Sequence, residues 1–207
     1  MTVKYPPRIE FGLGGPPRIE PLAPEELGDA GWMAMSRSRD LTGYPKDAPL
    51  HPFLATMCRH TEMFERFMQF GMNFLNNSVI GPREREMIIL RTGWLCDAPY
   101  EWCEHVAAGL REGLTEQEIG WIREGPEAGD WNERDRSLLR AVDELHDTSM
   151  ISDEVWSALA EHLDERQLLE LPVLVGHYHM TAFLQNAIRF EPNRDRFGQP
   201  LEQESPA

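Results

Sequence analysis

Glu86, Glu101 and His105 carry the residue types of an acid–base site. Glu101 and His105 stand four apart. On a helix that spacing puts both on one face, with Cβ atoms about 5–6 Å apart. A carboxylate beside an imidazole favours the imidazolium and raises the histidine pKa when the pair is withdrawn from water. Histidine already titrates near neutrality, so such a pair can give and take protons. Glu86 belongs to the preceding helical stretch. In an antiparallel hairpin an early residue of one helix faces a late residue of the next, which brings Glu86 towards His105. The competing reading is a solvated helix face on which a Glu–His pair does no chemistry. Tyr100 and Trp102 flank the pair and argue for burial. With Arg91 and His177 they are the candidate substrate contacts.

The other reactive side chains are less well placed. Cys96 and Cys103 are seven apart with a helix break between them. They are candidates for a redox pair only if the turn brings their Cα atoms within about 7 Å; otherwise they are buried, inert thiols. Cys58 fits a core position. His177 and His179 are two apart, so on a regular helix they point about 200° from one another. They cannot both face one metal. A site built from Glu101, His105 and one of these two is the metal-binding alternative, but the chain shows no zinc-type ligand spacing, and the expectation is no metal. There is no phosphate-binding glycine loop and no G-x-S-x-G elbow.

The elements that must hold these groups are helical throughout. Pro24 to Leu41 predicts a first helix, with Glu25 and Glu26 at its positive end. TGYPKDAP, residues 42–49, is a loop. His51 to Asn76 carries a stripe of Phe and Met and divides near His60 and Thr61. That stripe is core or subunit interface more readily than a ligand pocket. Pro82 suits a first helical position. Met87, Leu90, Arg91 and Trp94 repeat at helical spacing, and Ile88 and Leu95 widen the face. Asp97 to Pro99 ends that helix, and the next runs to about Glu112, stopped by Gly113. Thr115 with Glu118 is a capping box. Asp130 with Glu133 resembles another and opens a helix to about Thr148. Ser152 caps a short helix. Asp164 with Gln167 opens the last long one, in which Pro172 is a kink or marks the true start. No period-two run bounded by turns suggests a strand. The expectation is an all-α bundle of seven to nine helices.

Bulk properties narrow the partners. The 207 residues fit one domain with extensions, expected as an extended Pro/Gly-rich arm over 1–23, a single all-α domain over 24–191 and a polar tail over 192–207. The arm holds PPRIE twice, at 6–10 and 16–20. It is either a partly ordered tail or a strap on a neighbouring subunit. The formal net charge of -15 argues against nucleic acid and against an anionic membrane surface. The longest apolar runs are far short of the ~20 residues a bilayer span needs. No signal peptide is evident at the N-terminus. Three cysteines, an odd number, suit a reducing cytoplasm.

RERE-M-ILR-x-x-W-L-C-x-A-x-Y-E-W-x-x-H followed by G-L-T-x-x-E-I resembles the carboxymuconolactone decarboxylase family, in the superfamily of the alkylhydroperoxidase D-like proteins. LVGHYHMTAFLQNAIRFE is similar to that family's C-terminal segment, so the likeness spans roughly residues 50 to 191. The resemblance implies an all-α fold and a homo-oligomer, usually a trimer or hexamer, with sites near subunit contacts. Relatives of the peroxidase type carry C-x-x-C-x-x-x-H with a glutamate on the preceding helix. Here the histidine falls on His105 and the glutamate on Glu86. The two cysteine positions fall on Ala98 and Glu101, so both redox thiols are missing, and Cys96 and Cys103 stand elsewhere. The resemblance therefore favours the decarboxylase branch, which implies no metal and no organic cofactor. There His105 donates the proton, Glu101 orients it, Glu86 completes the relay, and Arg83, Arg85 or Arg91 holds the carboxylate of a small-molecule substrate. The alternatives are a peroxidase with a rearranged pair of Cys103 and Cys96, and a silent binding or assembly protein.

Overall fold

The computed structural model describes residues 13–42 and 50–190. The first twelve residues of the expected arm, the expected loop from 43 to 49 and the polar tail lie outside the described residues. Among the described residues there are nine α-helices, two 3-10 turns and no strand. The chain is all-α, as its patterning predicts.

Of the described residues, 17–78 form one compact unit and 79–190, with 13–16, the other. In the first, a 3-10 turn over Pro24–Glu26 leads into α1, Gly28–Thr42. The helix therefore starts later than its sequence suggests, after Gly28 takes a positive φ of 58°. α2 (Pro52–Met57), a 3-10 turn (Cys58–His60) and α3 (Thr61–Asn77) follow. The break near His60 is real: its φ of -137° and ψ of 74° leave the helical region, and its Nδ1 accepts from the Met63 amide at 3.4 Å. Much of the Phe and Met stripe is core, with Phe53, Met57, Phe64, Met72 and Phe74 buried.

The second unit is organised around α4, Pro82–Leu95. Met87, Ile88, Ile89 and Leu90 are four consecutive residues with no exposure. One apolar face was expected here, yet the helix is buried on all sides. A helix surrounded by neighbours has no solvent face to mark with polar residues. α5 (Pro99–Arg111) folds back on it, and α6 (Glu116–Glu124), α7 (Glu133–Thr148) and α9 (Glu165–Ile188) also pack against it. α8 (Asp153–Ala160) lies against α7 and α9.

Local signals explain the ends of these helices. Thr115 and Glu118 form the predicted capping box, as do Asp164 and Gln167, and Ser152 caps α8. The cap of α7 is a correction. It is Asn132, whose side chain accepts from the Asp135 amide at 2.8 Å, and not Asp130. α9 starts at Glu165 and runs through Pro172 without restarting there. The approach of α4 and α5 depends on small residues. A Cβ on Gly109 would lie 2.9 Å from Leu114 Cδ1, 3.3 Å from Leu90 Cδ1 and 3.7 Å from Glu86 Cβ. Glycine at 109, one turn beyond His105, thus lets the backbone of α5 come close to Glu86.

Candidate active site

α4 contributes Glu86 and α5 contributes Glu101 and His105. The hairpin brings all three together. Glu86 Oε2 lies 2.6 Å from His105 Nδ1, and Glu101 Oε1 lies 3.1 Å from His105 Nε2. Both ring nitrogens therefore face carboxylates. Each carboxylate is held from its far side. Arg85 donates through Nε to Glu86 Oε1 at 3.0 Å, and Gln185 Nε2 on α9 donates to Glu101 Oε2 at 2.7 Å. Glu86 is 1% exposed and Glu101 4%, while the His105 side chain keeps 14%.

Two carboxylate acceptors can be satisfied together only if the ring carries both protons, so the geometry selects imidazolium. Burial alone would lower the His105 pKa. The hydrogen bonds and charges of Glu101 and Glu86 reverse that and push it up to about 10. Burial likewise opposes ionisation of Glu86, but the bond to His105 and the charges of His105 and Arg85 hold its pKa below the usual value. With Arg85 included, two anions and two cations share the site, which limits the cost of burying them.

α9 adds two residues that sequence reasoning passed over. The ring of Tyr178 meets His105 edge-on at 5.2 Å between centroids, and Gln185 orients Glu101. Tyr178 and Gln185 are seven apart and both buried, so they share one helix face. That spacing was the available signal, but nothing local said which helix the face would meet.

The expected substrate contacts are placed as follows. His177 is buried, edge-on to Tyr178 at 5.2 Å, and lies in the field of Glu101; burial lowers its pKa and the Glu101 charge partly opposes this. Tyr100 is half-buried and packs edge-on against Phe190 at 4.8 Å. Trp102 has no exposure and packs on Trp94 at 5.2 Å. Arg91 is bound elsewhere. It grips Asp143 through Nε at 2.6 Å and through its second terminal nitrogen at 2.8 Å, and donates to the carbonyls of Ile122 and Arg123 at 2.9 Å each. It so closes the end of α6 and ties it to α7. Arg83 is engaged by Glu118 and Asp135. Of the three arginines, Arg85 is the one joined to the Glu86–His105 pair.

The cysteines are free thiols. Burial pushes Cys58 up to about 11 and, with the charge of Glu101, Cys96 to about 11; burial and Glu104 raise Cys103 as well. Among the described residues no helix is long and apolar enough to cross a membrane.

Residues 61–144 match the carboxymuconolactone decarboxylase family. The fold is similar to an alkylhydroperoxidase AhpD core, an uncharacterized peroxidase-related protein from Ralstonia eutropha JMP134: TM-score 0.68, 18% identity, 89% of this chain and 96% of that one. It is similar to an uncharacterized peroxidase-related protein from Silicibacter sp. TM1040: TM-score 0.67, 18% identity, 96% and 98%. It is also similar to the debrominase Bmp8: TM-score 0.69, 12% identity, 86% and 93%. A search of curated proteins found no match.

Proposed function

We propose that the chain is an acid–base enzyme of the decarboxylase-like kind, acting on a small carboxylated lactone or related carbonyl compound. The observation that carries this is His105 held through both ring nitrogens by carboxylates of two helices. In the proposed reaction the bond between the substrate carbon and its carboxylate breaks. CO2 leaves, and the electron pair passes into a dienolate conjugated with the lactone carbonyl. The His105 imidazolium then protonates carbon, and solvent restores its proton. Glu86 keeps the ring charged and oriented through Nδ1. Glu101, at the longer contact on Nε2, gives way to substrate while Gln185 retains it. Arg85 is the cation for a substrate carboxylate. This chemistry calls on no cofactor.

The test is turnover of carboxymuconolactone and a panel of small carboxylated lactones, followed by CO2 release. His105→Gln is expected to lower kcat at least ~100-fold, the usual worth of a positioned acid. Unchanged turnover in a folded His105→Gln protein would end the assignment. Saturable binding of these acids without turnover in the natural chain would leave a binding protein instead.

A second reading, a peroxidase using Cys103 and Cys96, is supported by the peroxidase-related neighbours. Raised thiol pKa values weigh against it, because the thiolate is the attacking form. Peroxide consumption that disappears in Cys103→Ser would favour it.

We also propose that the protein is a homo-oligomer. Leu169, Val173, Met180 and Phe183 of α9 are 71%, 46%, 46% and 61% exposed. At 100° per residue they fall on one face. A cytoplasmic location, suggested by the unpaired cysteines, is part of the same proposal.

A further inference from the structure

We propose that Cys96, His146 and His179 form a zinc-type metal site, separate from the Glu86–His105–Glu101 cluster. The three residues are distant in sequence. Cys96 ends α4, His146 sits in the last turn of α7, and His179 lies in the second half of α9. One ligand atom from each lies within 4.8 Å of the others. His146 Nδ1 and His179 Nε2 are 3.0 Å apart, with ring planes at 38°. Bond lengths of about 2.0–2.1 Å to nitrogen and 2.3 Å to sulfur put tetrahedron edges near ~3.3 Å and ~3.6 Å. The nitrogen pair is thus close to one edge of such a tetrahedron, and the third donor lies within 4.8 Å of the other two.

A second observation points to a ligand. His179 Nδ1 is 2.9 Å from the carbonyl oxygen of Val175. A carbonyl only accepts, so Nδ1 carries the proton, and in the neutral ring Nε2 presents a lone pair. A histidine whose far N–H is fixed on a backbone carbonyl is the usual arrangement of a metal ligand. That lone pair lies 3.0 Å from His146 Nδ1. His177 does not compete, because two residues along the helix it faces Tyr178 instead. The three side chains are half-buried, which leaves an entry path for the ion. One thiolate and two imidazoles suit zinc, and three protein ligands leave a fourth position for solvent or a small anion. A bound ion would also staple the end of α4 to α7 and α9.

The competing arrangement is a plain hydrogen bond from His146 Nδ1–H to His179 Nε2, and metal titration separates the two. The full chain is stripped with a chelator, kept reduced with a phosphine, and titrated with Zn(II) by calorimetry and with Co(II) by absorbance. The expected result is one ion per chain, a thiolate-to-cobalt charge-transfer band, and d–d bands of four-coordinate intensity. Cys96→Ser should remove the charge-transfer band, and His179→Gln should weaken zinc binding ~100-fold or more. If Cys96→Ser fails to fold by circular dichroism, His146→Gln supplies the ligand-loss test. His105→Gln should bind as the natural chain does. Absence of stoichiometric binding overturns the proposal. So does binding that survives both Cys96→Ser and His179→Gln, or binding lost in His105→Gln.

Discussion

Replacing Glu101 with glutamine removes one of the two charges that hold His105 as an imidazolium. The shape of the side chain and its contact with Gln185 are largely kept. In the natural chain the His105 pKa is pushed up to about 10 from 6.5, against the downward pull of burial. One opposite charge at this range is worth about 1–3 pH units, so the variant should titrate between ~7 and ~9. That difference corresponds to ~1.4–4 kcal/mol of interaction between ring and carboxylate. The sign follows from linkage. A pKa raised on folding stabilises the protein fully below the unfolded value of ~6.5, and the contribution is lost as pH rises through about 10. The natural chain should therefore lose stability over that window, and Glu101→Gln should lose less. The ring titration is followed by NMR, with the His105 signals assigned from their absence in His105→Gln. Urea unfolding at both ends of the window supplies the stability difference. A His105 midpoint near 6.5 in the natural chain would show that the clamp does not form in solution. A midpoint near 10 in both proteins would show that Glu101 is not part of it.

Two further outcomes separate structural from functional roles. Arg91→Met should destabilise by about 3 kcal/mol, the low end for breaking a buried pair, because Asp143 keeps 24% of its side chain exposed. Its KM should be unchanged in the folded fraction, and a raised KM at full stability would instead make Arg91 a substrate contact. Phe183→Glu should lower the mass measured by light scattering on a sizing column. An unchanged mass would remove the α9 stripe from the oligomer interface.

How much of this was legible beforehand depends on the range of the interactions involved. The hairpin, its break at Asp97 to Pro99, and the shared face of Glu101 and His105 follow from periodicity, capping and turn residues. So does the division at His60, because the signals act within one or two turns. Asp130 was a less successful reading. Acidic and amide side chains both cap helices, and Asn132 lies two residues nearer the first turn, where its oxygen reaches the Asp135 amide. α4 misled in a different way. Its apolar residues suggested one face, but burial on every side is decided by how many neighbours surround it.

The same contrast runs through the site. Residue types and spacing in the sequence determined that a carboxylate and an imidazole sit on one helix face, with a second carboxylate on the helix before. They also determined that no C-x-x-C accompanies them. Only the tertiary structure decided which of three nearby arginines meets Glu86, since all lie within little more than two turns of one helix and the surrounding helices choose among them. Arg83 was drawn to Glu118 and Asp135, and Arg91 to Asp143 and the end of α6, leaving Arg85 beside the histidine. Tyr178 and Gln185 reach the cluster, and His179 reaches His146, for the same physical reason. They come from α9, more than thirty residues away, and contacts of that length are set by how helices dock and not by any local preference.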